Sequence, residues 1–169
     1  MEIMAKRSFG ERLKGAALLH VDVYEEVEAD TTATGEAAGV VALVAVASAV
    51  GASAGGMMGI FGAVVAAFVG WLIWALLTYL IGDKLLGGTA TWGELLRTLG
   101  FAQGPGLLLA LGIVPGVGLL VALVVAVWVL VTGVVALRQA LDFSTGRALA
   151  TALIGWLVLA GLRFLLPGL

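Results

Sequence analysis

The chain has 169 residues, is 62% hydrophobic and 12% charged, has a formal net charge of −2 and contains no cysteine. Soluble domains are typically about half apolar and a quarter charged, so this is not the composition of a soluble domain. Without cysteine there is no disulfide framework, thiolate metal site or thiol catalysis. The few charges are unevenly placed, with no Asp, Glu, Lys or Arg between Glu36 and Asp83 or between Arg97 and Arg138. Each gap holds two membrane crossings at roughly 20 apolar residues apiece. The pattern predicts an all-α fold, a polytopic helical membrane bundle of five transmembrane helices preceded by an N-terminal amphipathic interfacial helix.

Residues 1–30 read as a cytoplasmic amphipathic and acidic segment, and 31–169 as the five-span membrane domain. In the first segment Ser8 and Glu11 have capping-box spacing, and Phe9, Leu13, Ala16, Ala17 and Tyr24 recur at helical intervals. One helix is expected over 1–29, basic in its first half and acidic at Asp22, Glu25, Glu26, Glu28 and Asp30; a basic amphipathic half-helix suits an anionic lipid surface. The apolar run Ala16–Leu19 is too short for a cleavable signal. His20, the sole histidine, is expected as an interfacial residue.

Asp30 is placed to cap the first span, about 34–54. The second, about 57–81, ends in Trp71, Trp74 and Tyr79, which suit an aromatic belt. Gly51, Gly55 and Gly59 recur every four residues, and Gly62, Ala66 and Gly70 follow at the same interval. Small residues so spaced let helices approach closely; they read as packing within the bundle, a dimer face being the other reading. Thr91 and Glu94 form a second capping box opening the third span, about 94–113. Gln103 and Pro105 break it, because proline lacks a backbone donor. The break reads as a kink whose free carbonyl is satisfied by Gln103 or a neighbouring helix, the alternative being a transport site. Pro115 and Gly116 turn the chain into span four, about 117–137, and span five covers about 145–166. Arg163, near its end, should snorkel to the headgroups.

Eight of the nine basic residues (Lys6, Arg7, Arg12, Lys14, Lys84, Arg97, Arg138 and Arg147) fall in the N-terminal segment or the two loops on its side. The positive-inside rule then places the protein in the cytoplasmic (inner) membrane with its N-terminus in the cytoplasm and its C-terminus outside.

Several stretches are familiar. The acidic run Asp22-Val23-Tyr24-Glu25-Glu26-Val27-Glu28-Ala29-Asp30 leads through Ala33-Thr34-Gly35 into the first span. Arg97-Thr98-Leu99-Gly100-Phe101-Ala102-Gln103-Gly104-Pro105 follows, then Ala136-Leu137-Arg138-Gln139-Ala140-Leu141-Asp142 and Thr145-Gly146-Arg147-Ala148. Together they resemble a prokaryotic member of the Yip family, named in eukaryotes for interaction with Rab GTPases. The resemblance runs from about Leu13 to Trp156. It implies five spans, a cytosolic N-terminus and a non-enzymatic role in membrane organisation or trafficking. Asp22 and Tyr24 match the first and third positions of the eukaryotic Asp-Leu-Tyr-Gly-Pro motif, and Glu25 and Glu26 stand where Gly-Pro would be.

The acidic cluster could bind a divalent cation, but it lacks a loop glycine and EF-hand spacing. It reads instead as a latch pairing with Arg97, Arg138 and Arg147 beside Asp142. Hydrolase chemistry fails for want of a second histidine to serve Ser48, Ser53 or Ser144, and the basic residues are too few for a nucleic-acid patch. No catalytic residue, metal site or cofactor is expected. The expected partners are the lipid bilayer and other membrane proteins. The expected function is a non-enzymatic integral membrane protein organising the bilayer or partner proteins. The alternatives are an accessory subunit of a larger membrane complex and a small transporter using the break at Gln103 and Pro105.

Overall fold

Long uncharged runs of Ala, Val, Leu and Gly leave water as helices, because an α-helix satisfies its N–H and C=O groups within one segment, whereas strands must close into a barrel to do so. The computed structural model describes residues 6–53 and 56–165 and has no strand among them. Seven α-helices follow in order: α1 (Phe9–Ala17), α2 (Val21–Ala29), α3 (Ala33–Gly51), α4 (Gly56–Thr78), α5 (Trp92–Ala102), α6 (Gly118–Ala140) and α7 (Thr145–Leu165). A π-helical stretch, Tyr79–Leu85, prolongs α4, and a 3-10 helix, Gly104–Ile113, follows α5. Ala33–Gly51, Gly56–Leu85, Trp92–Ile113 and Gly118–Ala140 are each long and apolar enough to cross a membrane. Helix α7, 21 residues long, is a further apolar helix. The expected helical membrane bundle is what the chain forms.

Short connections make these helices alternate in direction, so the charges collect at one end of the bundle. There the Thr89 hydroxyl donates to Asp142 (2.7 Å) and the Arg147 guanidinium donates to the Leu86 carbonyl, tying the α4–α5 connection to the α6–α7 turn. The opposite turn between the 3-10 helix and α6, residues 114–117, has no charge. Both capping boxes form: Ser8 with Glu11 opens α1, and Thr91 with Glu94 opens α5.

The N-terminal segment is two helices, not one. Leu19 adopts a left-handed conformation (φ 65°). Its N–H reaches the Ala16 carbonyl (3.1 Å) and that of His20 the Gly15 carbonyl (2.9 Å), the paired bonds of a Schellman helix end. His20 is exposed at the break. The pair packs along α5 and α6 at different levels. Glu25 of α2 meets Gln139 near the end of α6 (3.3 Å), whereas the Ala17 carbonyl ending α1 accepts the Trp128 indole N–H (2.8 Å). Trp128 lies a dozen residues before Ala140, about 18 Å along the helix at about 1.5 Å per residue. Phe9 packs on Phe101 (ring centroids 6.3 Å apart), so α1 sits deep in the charged half of the bundle with α2 above it.

The third span is not a kinked α-helix. Helix α5 stops at Ala102 and the crossing is completed by ten residues of 3-10 helix, far beyond the usual three or four. Pro105 stands in its first turn, where a missing N–H costs nothing. The steeper rise, about 2 Å per residue, stretches these ten residues over about 20 Å.

Three other expectations shift. Asp30 does not cap the first span with its side chain; it ends α2, and its carboxylate accepts from the Thr32 N–H and hydroxyl in the turn. Trp71 is core rather than belt, its indole donating to the Leu96 carbonyl (3.1 Å). The small-residue series divides. Gly51 lets α3 and the 3-10 helix touch backbone to backbone, since a Cβ there would lie 1.9 Å from the Leu109 carbonyl oxygen. Gly62, Ala66 and Gly70 are exposed on α4, and a Cβ at Gly62 or Gly70 would meet nothing within 4 Å. Gly59 is half-buried. Gly55 and the Arg163 side chain lie outside the described residues.

Candidate functional site

The densest polar constellation lies at the charged end and is organised by Arg12. Its helix, α1, buries Leu13, Ala16 and Ala17 against the bundle, and the same register turns Arg12 toward α2 and α3. The side chain is 1% exposed. It binds Glu26 through Nε (2.9 Å) and Nη2 (2.8 Å), Asp30 through Nη2 (2.8 Å) and Glu36 through Nη1 (3.0 Å). One guanidinium thus joins three helices or their ends. A planar fork of fixed donors suits this role, where an ammonium would supply a point charge. Around it, Lys6 pairs with Asp30 (2.8 Å) and Arg7 with Glu26 (2.6 Å) and Asp22.

The electrostatics follow from these bonds. Lys6, Thr32 and Arg12 hold the Asp30 carboxyl well below the usual carboxylate range. Glu26 is also lowered: desolvation opposes ionisation, and bonds from Arg12 and Arg7 outweigh it. Burial raises Tyr24; its hydroxyl donates to the Ala16 carbonyl (2.9 Å), pinning α2 to α1. Glu28 goes the other way. Half-buried and facing Glu94, Asp142 and Glu25, it is pushed up to about 7, chiefly by desolvation, with Arg97 opposing.

The structure therefore gives the acidic segment different partners from those read in the sequence. Its carboxylates meet Lys6, Arg7 and Arg12, not the loop arginines. Arg97 does reach the segment, but through main chain: buried, it donates from Nε to the Val27 carbonyl (2.9 Å) and from Nη2 to that of Glu28. It thereby satisfies the last carbonyls of α2, where a cation is favoured. Arg147 stacks over Phe143 (4.4 Å) besides bonding Leu86. Arg138 is exposed and makes no side-chain bond among the described residues. Arg12 was legible as a basic residue on an amphipathic helix. What hid its role was the turn at Leu18–His20, which brings the basic and acidic halves of the segment together.

The helix break has its own chemistry. The Ala102 carbonyl, left free where α5 ends, accepts from the Thr132 hydroxyl of α6 (2.6 Å), so a neighbouring helix and not Gln103 satisfies the break. The Gln103 side chain instead lines an intramembrane groove of about 630 Å³ between α4 and α6. The groove is otherwise walled by aliphatic side chains, glycine and the indoles of Trp71 and Trp74. Among the described residues no group of three His, Asp or Glu is placed to hold a metal ion.

No curated protein and no solved structure matches the chain. The Yip1 domain family model matches residues 22–166, a stretch that begins in α2 and takes in every apolar helix. The chain belongs to the Yip1 domain family, a family of membrane proteins without a known enzymatic role.

Proposed function

We propose that the protein is a non-enzymatic organiser of the bilayer, with its N-terminus and charged end in the cytoplasm. The observation that carries this reading is the uneven height of the exposed apolar belt. On α4 and its π-helical extension, large exposed apolar residues run from Met57 to Leu85, about 40 Å at about 1.5 Å per residue. On α6 they run only from Leu119 to Val131, about 18 Å by the same measure. Beyond Val131, α6 is flanked by α2, with α1 beside it on α5, and the outward positions of these two helices include Glu11, Lys14, Asp22 and Glu25. A hydrocarbon core about 30 Å thick is fully spanned by the first side, with apolar length to spare for tilt, and is too thick for the second. Charged groups held below the headgroups draw water and headgroups down toward them, thinning the bilayer locally. The protein deforms the cytoplasmic leaflet along one flank.

Giant vesicles with coexisting thick and thin lipid phases test this. The wild-type chain should gather in the thin phase or at the phase boundary, and a Glu11→Leu, Lys14→Leu variant should lose that preference. Even partitioning of the wild type would remove the proposal. The accessory-subunit reading has one observation in its favour: the exposed, unfilled stripe Gly62, Ala66, Gly70 on α4, a surface on which a partner helix could seat.

A further inference from the structure

The groove between α4 and α6 points to a ligand, and this inference is independent of how the protein bends its bilayer. The third crossing forms the floor: Leu99 and Gln103 at the end of α5, then Gly106 of the 3-10 helix. Trp71 and Trp74 of α4 form one wall, and Val129 and Gly133 of α6 the other. The mouth opens sideways. Gly70, Ala122, Ala126 and Leu130 line the groove and are also exposed, and they sit in the interior of their helices rather than at the ends. The groove is therefore continuous with the protein's lipid-facing surface, and what enters it comes from the bilayer. Its volume, about 630 Å³, lies within the span of small-molecule sites, about 300–1,000 Å³.

The lining decides the chemistry. It includes no ionisable side chain, so a charged group at this depth would have no counter-charge. Apart from the indole N–H groups of Trp71 and Trp74, the first of which is bonded to the Leu96 carbonyl, Gln103 is the one polar side chain in the lining and the one that can accept a hydrogen bond. Its amide makes no side-chain bond among the described residues, and no buried side-chain nitrogen or oxygen among them is sealed off without a partner, so the amide faces the groove. An amide offers both donors and an acceptor, and hydrocarbon chains offer it nothing. We propose that the groove binds a neutral lipophile, with a long apolar body along Trp71, Trp74 and Gly133 and one hydroxyl or carbonyl oxygen at Gln103.

The test uses the intact chain in phosphatidylcholine vesicles, with exposed Trp92 and Trp156 replaced by Phe so that the groove tryptophans dominate emission beside Trp128. The probe is a long-chain alcohol brominated along its chain, a contact quencher. Quenching should saturate with alcohol. Gln103→Leu should raise the half-saturating concentration about three- to tenfold, the worth of one hydrogen bond. Gly133→Leu should abolish saturation by filling the groove, and should fold, because a Cβ at Gly133 meets nothing within 4 Å. Gly70→Leu, equally unobstructed, is a second filling variant should the first melt early. Quenching that rises linearly, matches that from brominated phospholipid and ignores both variants would mean ordinary acyl chains occupy the groove, overturning the proposal. So would reaction of an Ala126→Cys variant with a charged, water-soluble thiol reagent, which would show an aqueous groove, or quenching protected only by self-association, which would show a second copy.

Discussion

At the scale of single residues, the chain spends its few polar groups on other residues' main chain. Trp128 serves Ala17, Thr132 serves Ala102, Trp71 serves Leu96 and Arg97 serves the end of α2. In an apolar medium a helix's last carbonyls have no water to turn to, so Trp128, Thr132 and Arg97 replace it, while Trp71 bonds a carbonyl in the middle of α5. Thr132→Val should leave the Ala102 carbonyl unpaired and cost about 1–3 kcal/mol, read as a lower melting temperature in mild detergent; Thr132→Ser should restore most of it. Gln103→Leu should leave stability near wild type, because Gln103 does not serve the break. Arg12→Met should cost more, about 3 kcal/mol, because three carboxylates lose their shared cation, and Arg12→Lys should recover only part. A melt unchanged by Arg12→Met would show that the hub contributes nothing to stability. Glu28 gives a pH signature. With a pKa of about 7 against an ordinary 4.5, its folded form binds the proton more tightly than the unfolded chain. That contribution is full below about 4.5 and is lost as pH rises through about 7. Asp30 and Glu26, both lowered, lose theirs only in acid. The melting temperature should fall between about pH 5 and pH 8, and Glu28→Gln should flatten that slope and stabilise the alkaline end. A wild-type profile flat across this window would exclude Glu28 as a strained carboxyl.

At the scale of elements, legibility depended on whether a helix's limits are written locally. Both capping boxes are local signals, and both formed. The apolar helices were readable because charge vanishes across them. Helix ends were harder. Glycine marks many C-termini, yet here the chain leaves α1, α3 and α6 through Leu19, Ser53 and Asp142, each two residues past the helix and in left-handed conformation. Nothing about Leu19 announces a turn, and one-helix periodicity therefore ran through it. The 3-10 crossing was equally hidden: proline and glycine announced a break, but the tight packing of α3 on Gly106 and of Gly51 on Leu109, which keeps the chain wound, is tertiary. Glycines with one sequence spacing consequently have opposite roles. Gly51→Ala must push a backbone carbonyl aside and should destabilise the fold strongly. Gly62→Ala meets open space and should be neutral or stabilising by up to about 1 kcal/mol, the helix-propensity gain. Thermal melts of the two variants compare them directly, and equal effects would contradict the observed approach of α3 to the 3-10 helix.

At the scale of the whole molecule, the bundle was the most legible feature, because hydropathy and charge partition are global properties that no single turn can hide. The hub and the groove were not legible, because each depends on which helices become neighbours. The charge partition also makes a prediction about orientation. Lys84, Arg97, Arg138 and Arg147 occupy the same end of the bundle as Arg7 and Arg12, which α1 and α2 fold against it. Basic residues near span ends resist translocation, so this end should remain in the cytoplasm. Reporter fusions after Arg12, near Gly88 and near Thr145 should then give cytoplasmic signals, and one after Leu169 the opposite signal where α7 crosses as a fifth span beside the four long apolar helices. A cytoplasmic signal from the last fusion would leave α7 lying on the membrane instead of crossing it. That outcome would undo the five-span topology while leaving the hub and the groove-lining helices α4, α5 and α6 where they are. The fusion after Leu169 is thus the measurement that separates the crossing of α7 from the rest of the architecture.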